Sequence, residues 1–403
     1  MTEERWLRIV GLGEDGIDGL TPAARRLLAQ AVLVVGGPRH LALVGPLSAQ
    51  TLAWPTPIED ALPEIEARRG EPVCVLASGD PFFFGVGTML MRRFEAREMV
   101  CVPAPSAFAL AAARLGWSEQ ECMTLSLHGR PLEAIVPHLQ HGTRVLALSW
   151  DESTPGKLAG LLTSRGMGGS ILTVCEALGG PRERIRAAAA GDYALKDVAA
   201  LNTVALEVAA GPEARILPLT PGLPDEWFEH DGQITKRDIR AVTLSALAPK
   251  RGELLWDIGS GSGSVAIEWT LADPANRAIA IEARADRAAR IARNALALGA
   301  TAVSVVTGKA PGALAGLPPP DAAFFGGGAR APGSVERAIE RLAPKGRLVV
   351  NAVTLETQAE CVGWRARWGG NLTQISFAQA EPVGRFSGWR AAMPVVQWRL
   401  IKS

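Results

Sequence analysis

Short apolar runs that end at glycine or proline recur along the chain and alternate with segments of helical periodicity. Near the start of the chain these runs lie at residues 6–10, 31–35, 71–77 and 99–102. Apart from Arg8 and Glu71 they are apolar at consecutive positions rather than at every second one, which is typical of strands buried on both faces of a parallel sheet. The pattern therefore predicts an α/β fold for this part of the chain.

A second group of apolar runs begins after residue 118 and predicts a smaller α/β subdomain. A third group follows residue 232 and predicts another open sheet, with an amphipathic helix at residues 284–298 whose arginines face water. The predicted strands of these two groups lie at residues 124–130, 145–149, 171–175, 202–208, 254–258, 278–282, 302–306, 322–325 and 347–350.

The composition changes between residues 211 and 232, where prolines and glycines replace the apolar runs. Such stretches commonly connect domains, and a chain of 403 residues exceeds what one hydrophobic core usually supports. The sequence therefore predicts one domain over residues 1–210, a linker over 211–231 and a second domain over 232–403.

Three threonines are predicted to cap helices. Thr21 precedes a proline and Thr154 precedes another, so each fits the N-cap position of a helix with proline in its first turn. Thr235 has Asp238 three residues later and is predicted to form a capping box.

A glycine-rich stretch between two predicted strands is the strongest indication of a ligand. Asp257 precedes Gly259, Gly261 and Gly263, and Glu282 closes the next apolar run. Glycines in a strand-to-helix turn let backbone N–H groups approach a ligand, and an acid at that distance suits a ribose diol. The interpretation is a nucleoside site, with a plain βαβ turn as its alternative.

The spacing of these glycines indicates which nucleoside is bound. A dinucleotide fingerprint has glycine or alanine at the position of Ser264, whereas the alternating pattern here is the form used with S-adenosylmethionine (SAM). Two turns in the first half also follow predicted strands, Gly79-Asp80-Pro81 and Ser106-Ala107. Ligands of open parallel sheets bind at that edge, and the alternative is again a structural turn.

Composition and charge narrow the class of protein. Hydrophobic residues make up 48%, charged residues 21%, and the net charge is +1, which gives no electrostatic case for binding nucleic acid. No run is long enough to span a membrane, and residues 1–5 lack a signal-peptide core, so a cytoplasmic enzyme is expected.

The five cysteines are scattered and His138 and His141 have no third ligand nearby, so neither disulfides nor a metal are expected.

Two resemblances meet in this chain. Residues 7–208 resemble the tetrapyrrole methylases through Val10-Gly-Leu-Gly13, Gly79-Asp80-Pro81, Ser106-Ala107 and Ser126-Leu-His-Gly-Arg130. Glu14-Asp15 stands where many members have proline. From Gly232 onwards the chain resembles the decarboxylating precorrin methyltransferases, through Thr235-Lys236, the stretch from Asp257 to Gly263, Glu282, Gly308-Lys-Ala-Pro311 and Asn351-Ala-Val-Thr-Leu-Glu356.

The resemblance implies a fold and an activity. It implies an N-terminal tetrapyrrole methylase fold of two α/β subdomains and a C-terminal seven-stranded, Rossmann-like class I methyltransferase. The implied activity is SAM-dependent methylation of a precorrin at C-5 and C-15, with decarboxylation of its ring C acetate, in cobalamin biosynthesis. Two SAM sites per chain and a homo-oligomer are expected, whereas no catalytic side chain is identified. The alternatives are a half that has lost activity and serves as a tetrapyrrole scaffold, and an NAD-type oxidoreductase.

The site residues implied by the resemblance fall into three groups. For SAM in the first half they are Gly79, Asp80, Phe83, Ser106 and Ala107. For SAM in the second half they are Thr235, Gly259, Ser260, Gly261, Ser262, Gly263, Glu282 and Ala310. For the tetrapyrrole and its carboxylates they are Ser126, His128, Arg130, Arg330, Arg385 and Arg390.

Overall fold

The computed structural model describes residues 5–403, and the chain divides into two compact units. The first unit contains the described chain up to Leu132 and His138–Ile216, and the second contains Glu133–Pro137 and Leu217–Ser403. Met1–Glu4, on which the signal-peptide argument partly rests, lies outside the described residues. Between residues 5 and 403 no helix is both long and apolar enough to cross a bilayer.

The first unit begins with a five-stranded parallel sheet in the order β3-β2-β4-β1-β5. Strand β1, which pairs with β4 on one side and β5 on the other, is buried along its whole length, as its largely apolar sequence predicts. The elements are β1 (Leu7–Leu12), α1 (Pro22–Ala29), β2 (Leu33–Gly36), α2 (Pro38–Val44), β3 (Gln50–Ala53), α3 (Leu62–Ala67), β4 (Val73–Ser78), α4 (Gly87–Leu90), β5 (Met99–Val102) and α5 (Ala107–Leu115).

A second sheet completes the first unit, in the order β6-β7-β10-β8-β9. Strands β6 and β7 pair parallel, and the other neighbours pair antiparallel. The elements are β6 (Cys122–Ser126), β7 (Arg144–Leu148), α6 (Thr154–Ser164), β8 (Ile171–Glu176), β9 (Arg184–Ala189) and β10 (Asn202–Glu207). The two sheets give the first unit the two α/β subdomains that the resemblance implies.

The second unit contains one seven-stranded sheet in the order β13-β12-β11-β14-β15-β19-β16, and a separate hairpin of β17 and β18. After β11 the chain adds β12 and β13 on one side of this strand, and it then places β14 on the other side. Strands β11 and β14 therefore flank a switch point, which is where ligands of such sheets bind. The elements are α7 (Arg237–Leu247), β11 (Leu254–Ile258), α8 (Ser264–Leu271), β12 (Arg277–Glu282), α9 (Ala285–Ala297), β13 (Val303–Thr307), β14 (Ala322–Phe325), α10 (Ser334–Arg341), β15 (Arg347–Ala352), α11 (Leu355–Trp368), β16 (Asn371–Ile375), β17 (Ala378–Val383), β18 (Phe386–Ala391) and β19 (Val395–Ile401).

Both faces of this sheet are covered by apolar side chains, which explains the continuous hydrophobic character of its strands. Trp256 on β11 lies in the core of one face, and Trp269 on α8 lies in the core of the other. Neither side chain is exposed to solvent. The carboxyl ends of the parallel strands are thereby fixed in position around the switch point.

The stretch 211–231, which the sequence analysis predicts as a linker, is not an open connection. The boundary between the units falls within it, between Ile216 and Leu217. After that boundary Leu217, Leu223 and Phe228 are buried. The composition of this stretch resembles a linker because its turns require proline and glycine, yet its apolar residues belong to the second unit.

A buried cluster of charges, which we call the Arg240 cluster, holds this stretch in place. It consists of Arg240, Glu268 and Asp225, and the arginine side chain is completely buried. Arg240 donates to Glu268 over 2.5 Å and to Asp225 over 3.0 Å, and also to the carbonyls of Thr235 and Leu223. Glu268 accepts from the backbone N–H groups of Gly222 and Leu223 at 2.7 and 2.9 Å. Both carboxylate oxygens of Glu268 and all three guanidinium nitrogens of Arg240 are therefore hydrogen bonded.

Of the three predicted caps, only that of Thr21 is confirmed, since its hydroxyl accepts from the N–H of Ala24. The prediction for Thr154 is wrong because the N-cap of α6 is Ser153, while the hydroxyl of Thr154 accepts from residues before it.

The capping box of Thr235 and Asp238 is also wrong. Helix α7 begins at Arg237 after Lys236, with no side-chain cap. The carbonyl of Thr235 accepts instead from the Arg240 side chain.

Candidate active sites

The glycine-rich turn after β11 has the backbone that its sequence predicts. Gly259, Gly261 and Gly263 have φ values of +69°, +62° and +81°, in the region that favours glycine. A Cβ atom at Gly259 would lie only 2.6 Å from the carbonyl oxygen of Gly327 in the loop after β14. The turn therefore requires glycine both for its conformation and for its close contact with a neighbouring loop.

The side chain of Asp257 fixes this turn through hydrogen bonds to the turn and to α8. One oxygen of its buried carboxyl accepts from the hydroxyl of Ser260 at 2.6 Å and from the N–H of Ala266 in α8 at 3.1 Å. Its other oxygen is buried without a hydrogen-bond partner among the described residues. Burial raises the pKa of Asp257 to about 6, against the lowering effect of the two hydrogen bonds, and the charge of Glu282 raises it further.

The burial of Asp257 makes the stability of the second unit depend on pH. Because the pKa is raised from 3.8 to about 6, the folded state holds a proton between these values that the unfolded chain has lost. The contribution of Asp257 to stability should therefore fall as the pH rises from about 4 to about 6, by about 3 kcal/mol in total. Urea unfolding of wild type and Asp257→Asn over this range tests the effect, and identical pH profiles would contradict it.

Glu282 at the end of β12 connects the turn to the next loop. Its carboxylate accepts from the N–H of Gly261 and from the N–H of Arg284, both at 3.0 Å. The side chain is buried yet lines the cavity beside the turn. Each carboxylate oxygen can accept a second hydrogen bond, which is the chemistry that a ribose diol requires.

A cavity of about 580 Å³ opens at this edge of the sheet. Thr235, Glu282, Ala310 and the turn residues 259–261 line it, together with residues 326–328 after β14 and Asn351 at the end of β15. Its glycines leave room where side chains would otherwise stand, and Glu282 supplies the buried acceptor. These features fit the nucleoside and methionine parts of SAM.

Some predicted residues of the second half lie outside this cavity wall. Ser262 is fully buried beneath the turn and Gly263 immediately precedes α8. Arg330, Arg385 and Arg390 do not line the cavity, and Arg390 pairs with Glu381 at 2.9 Å across the hairpin. Arg330 lies in the loop after β14 between the lining residues Gly328 and Ala331, whereas Arg385 and Arg390 belong to the hairpin of β17 and β18.

Three cationic residues that the sequence analysis does not select do line the cavity: Lys236, Arg287 and Lys309. Lys236 lies 3.6 Å from Asp225, and Arg287 pairs with Asp231 at 2.9 Å. Lys309 has no ion pair within the described part of the chain. It follows β13 in the Gly308-Lys-Ala-Pro311 motif, and its place in this motif is the sequence feature that could have identified it as a residue of the site.

The first unit has its own cavity, of about 680 Å³, at the carboxyl ends of β1, β4 and β5. Gly79 has a φ of +53° and turns the chain at the end of β4. Asp80 accepts from the N–H of Phe82 at 2.9 Å, and Ser106 caps α5 by accepting from the N–H of Ala109 at 3.0 Å. The predicted residues Gly79, Asp80, Phe83, Ser106, Ala107, Ser126, His128 and Arg130 all line this cavity.

Aromatic rings form part of the same wall. The guanidinium of Arg130 lies 5.7 Å from the ring centre of Phe84, and the rings of His128 and Trp150 are 6.3 Å apart. Phe84 and Trp150 remain 42% and 56% exposed although they are large and apolar. Exposed flat rings with a cation beside them suit a flat ligand that carries carboxylates.

Glu14, where many tetrapyrrole methylases have proline, takes part in a polar cluster that sequence reasoning missed. Its carboxylate pairs with Arg39, which donates to His40 Nε2 at 2.9 Å and to Ser78 Oγ at 2.8 Å. Burial lowers the pKa of His40 to about 4, and the charge of Arg39 lowers it further. His40 is therefore neutral near neutral pH, and the cluster fixes the loop beside Gly79.

Comparison with known proteins yields matches over both units. The model of the tetrapyrrole (corrin/porphyrin) methylases matches residues 7–194, and the model of the precorrin methyltransferase domain matches residues 226–402. The chain is 54% identical over 398 residues to a precorrin-6Y C(5,15)-methyltransferase (decarboxylating) from Sinorhizobium sp., covering 98% of this chain and 96% of that protein.

Two further relatives differ in how much of the chain they match. A protein of the same name from Mycobacterium tuberculosis (strain CDC 1551 / Oshkosh) is 40% identical over 400 residues, which cover 98% of this chain and 99% of that protein. A cobalt-precorrin-7 C(5)-methyltransferase from Salmonella typhimurium is 31% identical over 200 residues, which cover 49% of this chain and 98% of that protein.

Proposed function

The chain belongs to the family of precorrin-6Y C(5,15)-methyltransferases (decarboxylating), and we propose that it carries out that reaction with two SAM sites per chain. It methylates precorrin-6Y at C-5 and C-15 and removes carbon dioxide from the ring C acetate, giving precorrin-8x in cobalamin biosynthesis. The observation that carries the proposal is one glycine-lined cavity in each unit, at the carboxyl ends of parallel strands.

We assign C-5 methylation to the first unit, and C-15 methylation with decarboxylation to the second. The relative from Salmonella, named for C-5 methylation alone, is almost entirely covered by about half of this chain, so half a chain suffices for that step there. The resemblance of the second half to decarboxylating precorrin methyltransferases supports the other assignment. We take Ile216 as the end of the first functional unit rather than residue 210.

SAM supplies an electrophilic methyl group on sulfur when it is bound. The precorrin carbons that accept it are enamine-like and already nucleophilic, so the protein's main task is to position them. In the second unit Glu282 holds the ribose, and the glycines at 259, 261 and 326–328 leave space for donor and macrocycle. In the first unit Gly79 and Ser106 hold the loops against the donor, while Arg130 pairs with a carboxylate of the macrocycle.

The test is incubation of the full chain with precorrin-6Y and SAM, followed by mass spectrometry. Gain of two methyl groups with loss of carbon dioxide is expected, and calorimetry should count two SAM molecules per chain. Gain of a single methyl group would instead identify one unit as a tetrapyrrole-binding scaffold. Binding of NADH in place of SAM would favour an oxidoreductase. Assembly into a homo-oligomer and a cytoplasmic location stay predictions.

Replacing Glu282 with alanine should weaken SAM binding in the second unit by about 1–3 kcal/mol, the range for a charged hydrogen-bond partner. Calorimetry on the full chain should show one weakened site and one unchanged site. Asp286→Ala is the matched control, because this nearby acid is exposed and pairs with Arg284 outside the cavity. Two unchanged sites in a folded Glu282→Ala protein would show that the carboxylate does not hold the ribose.

A further inference from the structure

The second-unit cavity has one wall that is almost free of polar side chains. From β15 to the start of β19, the described residues that line it are Asn351, Val353, Phe377, Ala392, Met393 and Val395, and Asn351 alone has a polar side chain. The neighbouring loop after β14 contributes the glycines 326–328. A ligand group at this wall therefore meets a single amide in apolar surroundings.

A chain of hydrogen bonds fixes the amide of Asn351. The hydroxyl of Thr243 on α7 donates to the carbonyl of Ile239 at 2.7 Å. Its oxygen then accepts from Asn351 Nδ2 at 2.8 Å, and Gln397 Nε2 on β19 donates to Asn351 Oδ1 at 3.0 Å. Thr243 is fully buried and Gln397 is 5% exposed, so this support lies inside the protein.

The direction of these bonds determines which way the amide points. The proton of the Thr243 hydroxyl is committed to Ile239, so the atom of Asn351 that faces this hydroxyl must be a donor. The nitrogen of Asn351 therefore faces Thr243, and its oxygen faces Gln397. One N–H and one lone pair of the half-buried amide remain for a bound molecule.

We propose that Asn351 is the residue that holds the departing acetate carboxylate of the precorrin, through its remaining N–H, and that Thr243 and Gln397 are its positioning residues. The proposal rests on the proposed function, since it assigns a residue to the decarboxylation step of the second unit. It fits the place of Asn351 at the end of β15, which lies three strands away from β12 and its Glu282 in the sheet, on the same cavity.

A neutral amide suits this step better than a cation would. When the carbon–carbon bond breaks, its electron pair moves into the conjugated iminium of the macrocycle, neutral carbon dioxide leaves, and a proton from solvent later converts the remaining methylene into a methyl group. The negative charge thus leaves the carboxylate in the transition state. A lysine or arginine there would stabilise the starting carboxylate more than the transition state, whereas an amide orients it in an apolar wall.

The experiment compares carbon dioxide release, methyl gain and ligand binding in the full chain under single-turnover conditions. Asn351→Ala should slow carbon dioxide release by about 10- to 100-fold, because the carboxylate loses the contact that orients its carbon–carbon bond against the conjugated iminium. The affinities for SAM and for precorrin-6Y should change less than about threefold, because several other contacts remain. C-5 methylation by the first unit on a precorrin that is already decarboxylated should be unchanged.

Thr243 provides a matched pair of variants that tests positioning even where Asn351→Ala proves unstable. Thr243→Val removes the acceptor that orients the amide and should lower the rate of carbon dioxide release, while Thr243→Ser keeps the hydroxyl and should restore it. Gln397→Met, of similar size, should behave like Thr243→Val.

Three outcomes would overturn the inference. The first is release of carbon dioxide at the wild-type rate by Asn351→Ala. The second is a loss of precorrin affinity in Asn351→Ala that equals its loss of rate. The third is an equal rate of carbon dioxide release in Thr243→Val and Thr243→Ser. A wild-type protein that released no carbon dioxide would instead contradict the proposed function itself, so the two failures are distinguishable.

Discussion

Replacing Arg240 with alanine is expected to destabilise the second unit by about 3–5 kcal/mol, the cost of leaving a buried charge without its partner. The change would remove the bonds from Arg240 to Glu268, Asp225 and the carbonyls of Thr235 and Leu223. Glu268, with its side chain 3% exposed, would keep only backbone donors. Because Thr235 lines the cavity, SAM binding in this unit should weaken as well.

Urea unfolding, with hydrogen exchange to identify the unit that opens, measures this effect. Amides of α7 and α8 should lose protection, while those of β1 and β4 in the first unit should keep it. Arg337→Ala is the control, since Arg337 is exposed and pairs with Glu340 at 3.2 Å on the surface of α10. It should change stability by less than about 0.5 kcal/mol. Unchanged protection of α7 in Arg240→Ala would refute the structural role of the cluster.

Replacing Gly11 with alanine is expected to abolish SAM binding in the first unit and to destabilise that unit by about 1–3 kcal/mol or more. A Cβ atom at Gly11 would lie 2.0 Å from the carbonyl oxygen of Gly79 and 2.4 Å from the nitrogen of Ala104. These two atoms form a hydrogen bond of 3.0 Å with each other. Both belong to the backbone, so no side-chain rotation relieves the clash, and the Gly79 turn must move.

Calorimetry should then count one SAM molecule per chain instead of two, and only the methylation assigned to the first unit should be lost. Gly160→Ala serves as the matched control in the same unit. Gly160 lies inside α6, has no positive φ, and a Cβ atom there meets nothing within 4 Å. The control should be neutral or slightly stabilising. A Gly11→Ala protein that binds two SAM molecules with wild-type affinity would show that the first-unit cavity does not bind SAM through this turn.

Sequence patterns predicted the buried strands well, because a short run of consecutive apolar residues is typical of a strand that is buried on both faces. The predicted strand at 99–102 coincides with β5, the one at 322–325 coincides with β14, and that at 347–350 falls within β15. The exposed strand β3 and the hairpin of β17 and β18 were missed, since their residues are mixed and largely exposed. Exposed strands carry little periodic signal.

The candidate sites could be predicted only where chemistry is encoded in neighbouring residues. The turn at 259–263 and the Gly79 turn are of this kind. The Arg240 cluster and the support of Asn351 join residues far apart in the chain, with Thr243 and Asn351 separated by 108 positions. A single sequence contains no sign of such pairs, which only the fold brings together.

The stretch that begins at Leu217, after the boundary between the two units, also determines where the chain can be cut. Residues 218–221 are exposed, with Leu219 at 89%, between buried Leu217 and buried Gly222. A protease that cleaves after leucine should therefore cut the chain after Leu219, and this cut leaves the Arg240 cluster intact. A recombinant fragment that began at residue 226, where the family match begins, would lack Asp225 and the two amides that bind Glu268. A fragment that starts at Leu217 keeps every partner of the Arg240 cluster and lacks only Glu133–Pro137 of the second unit.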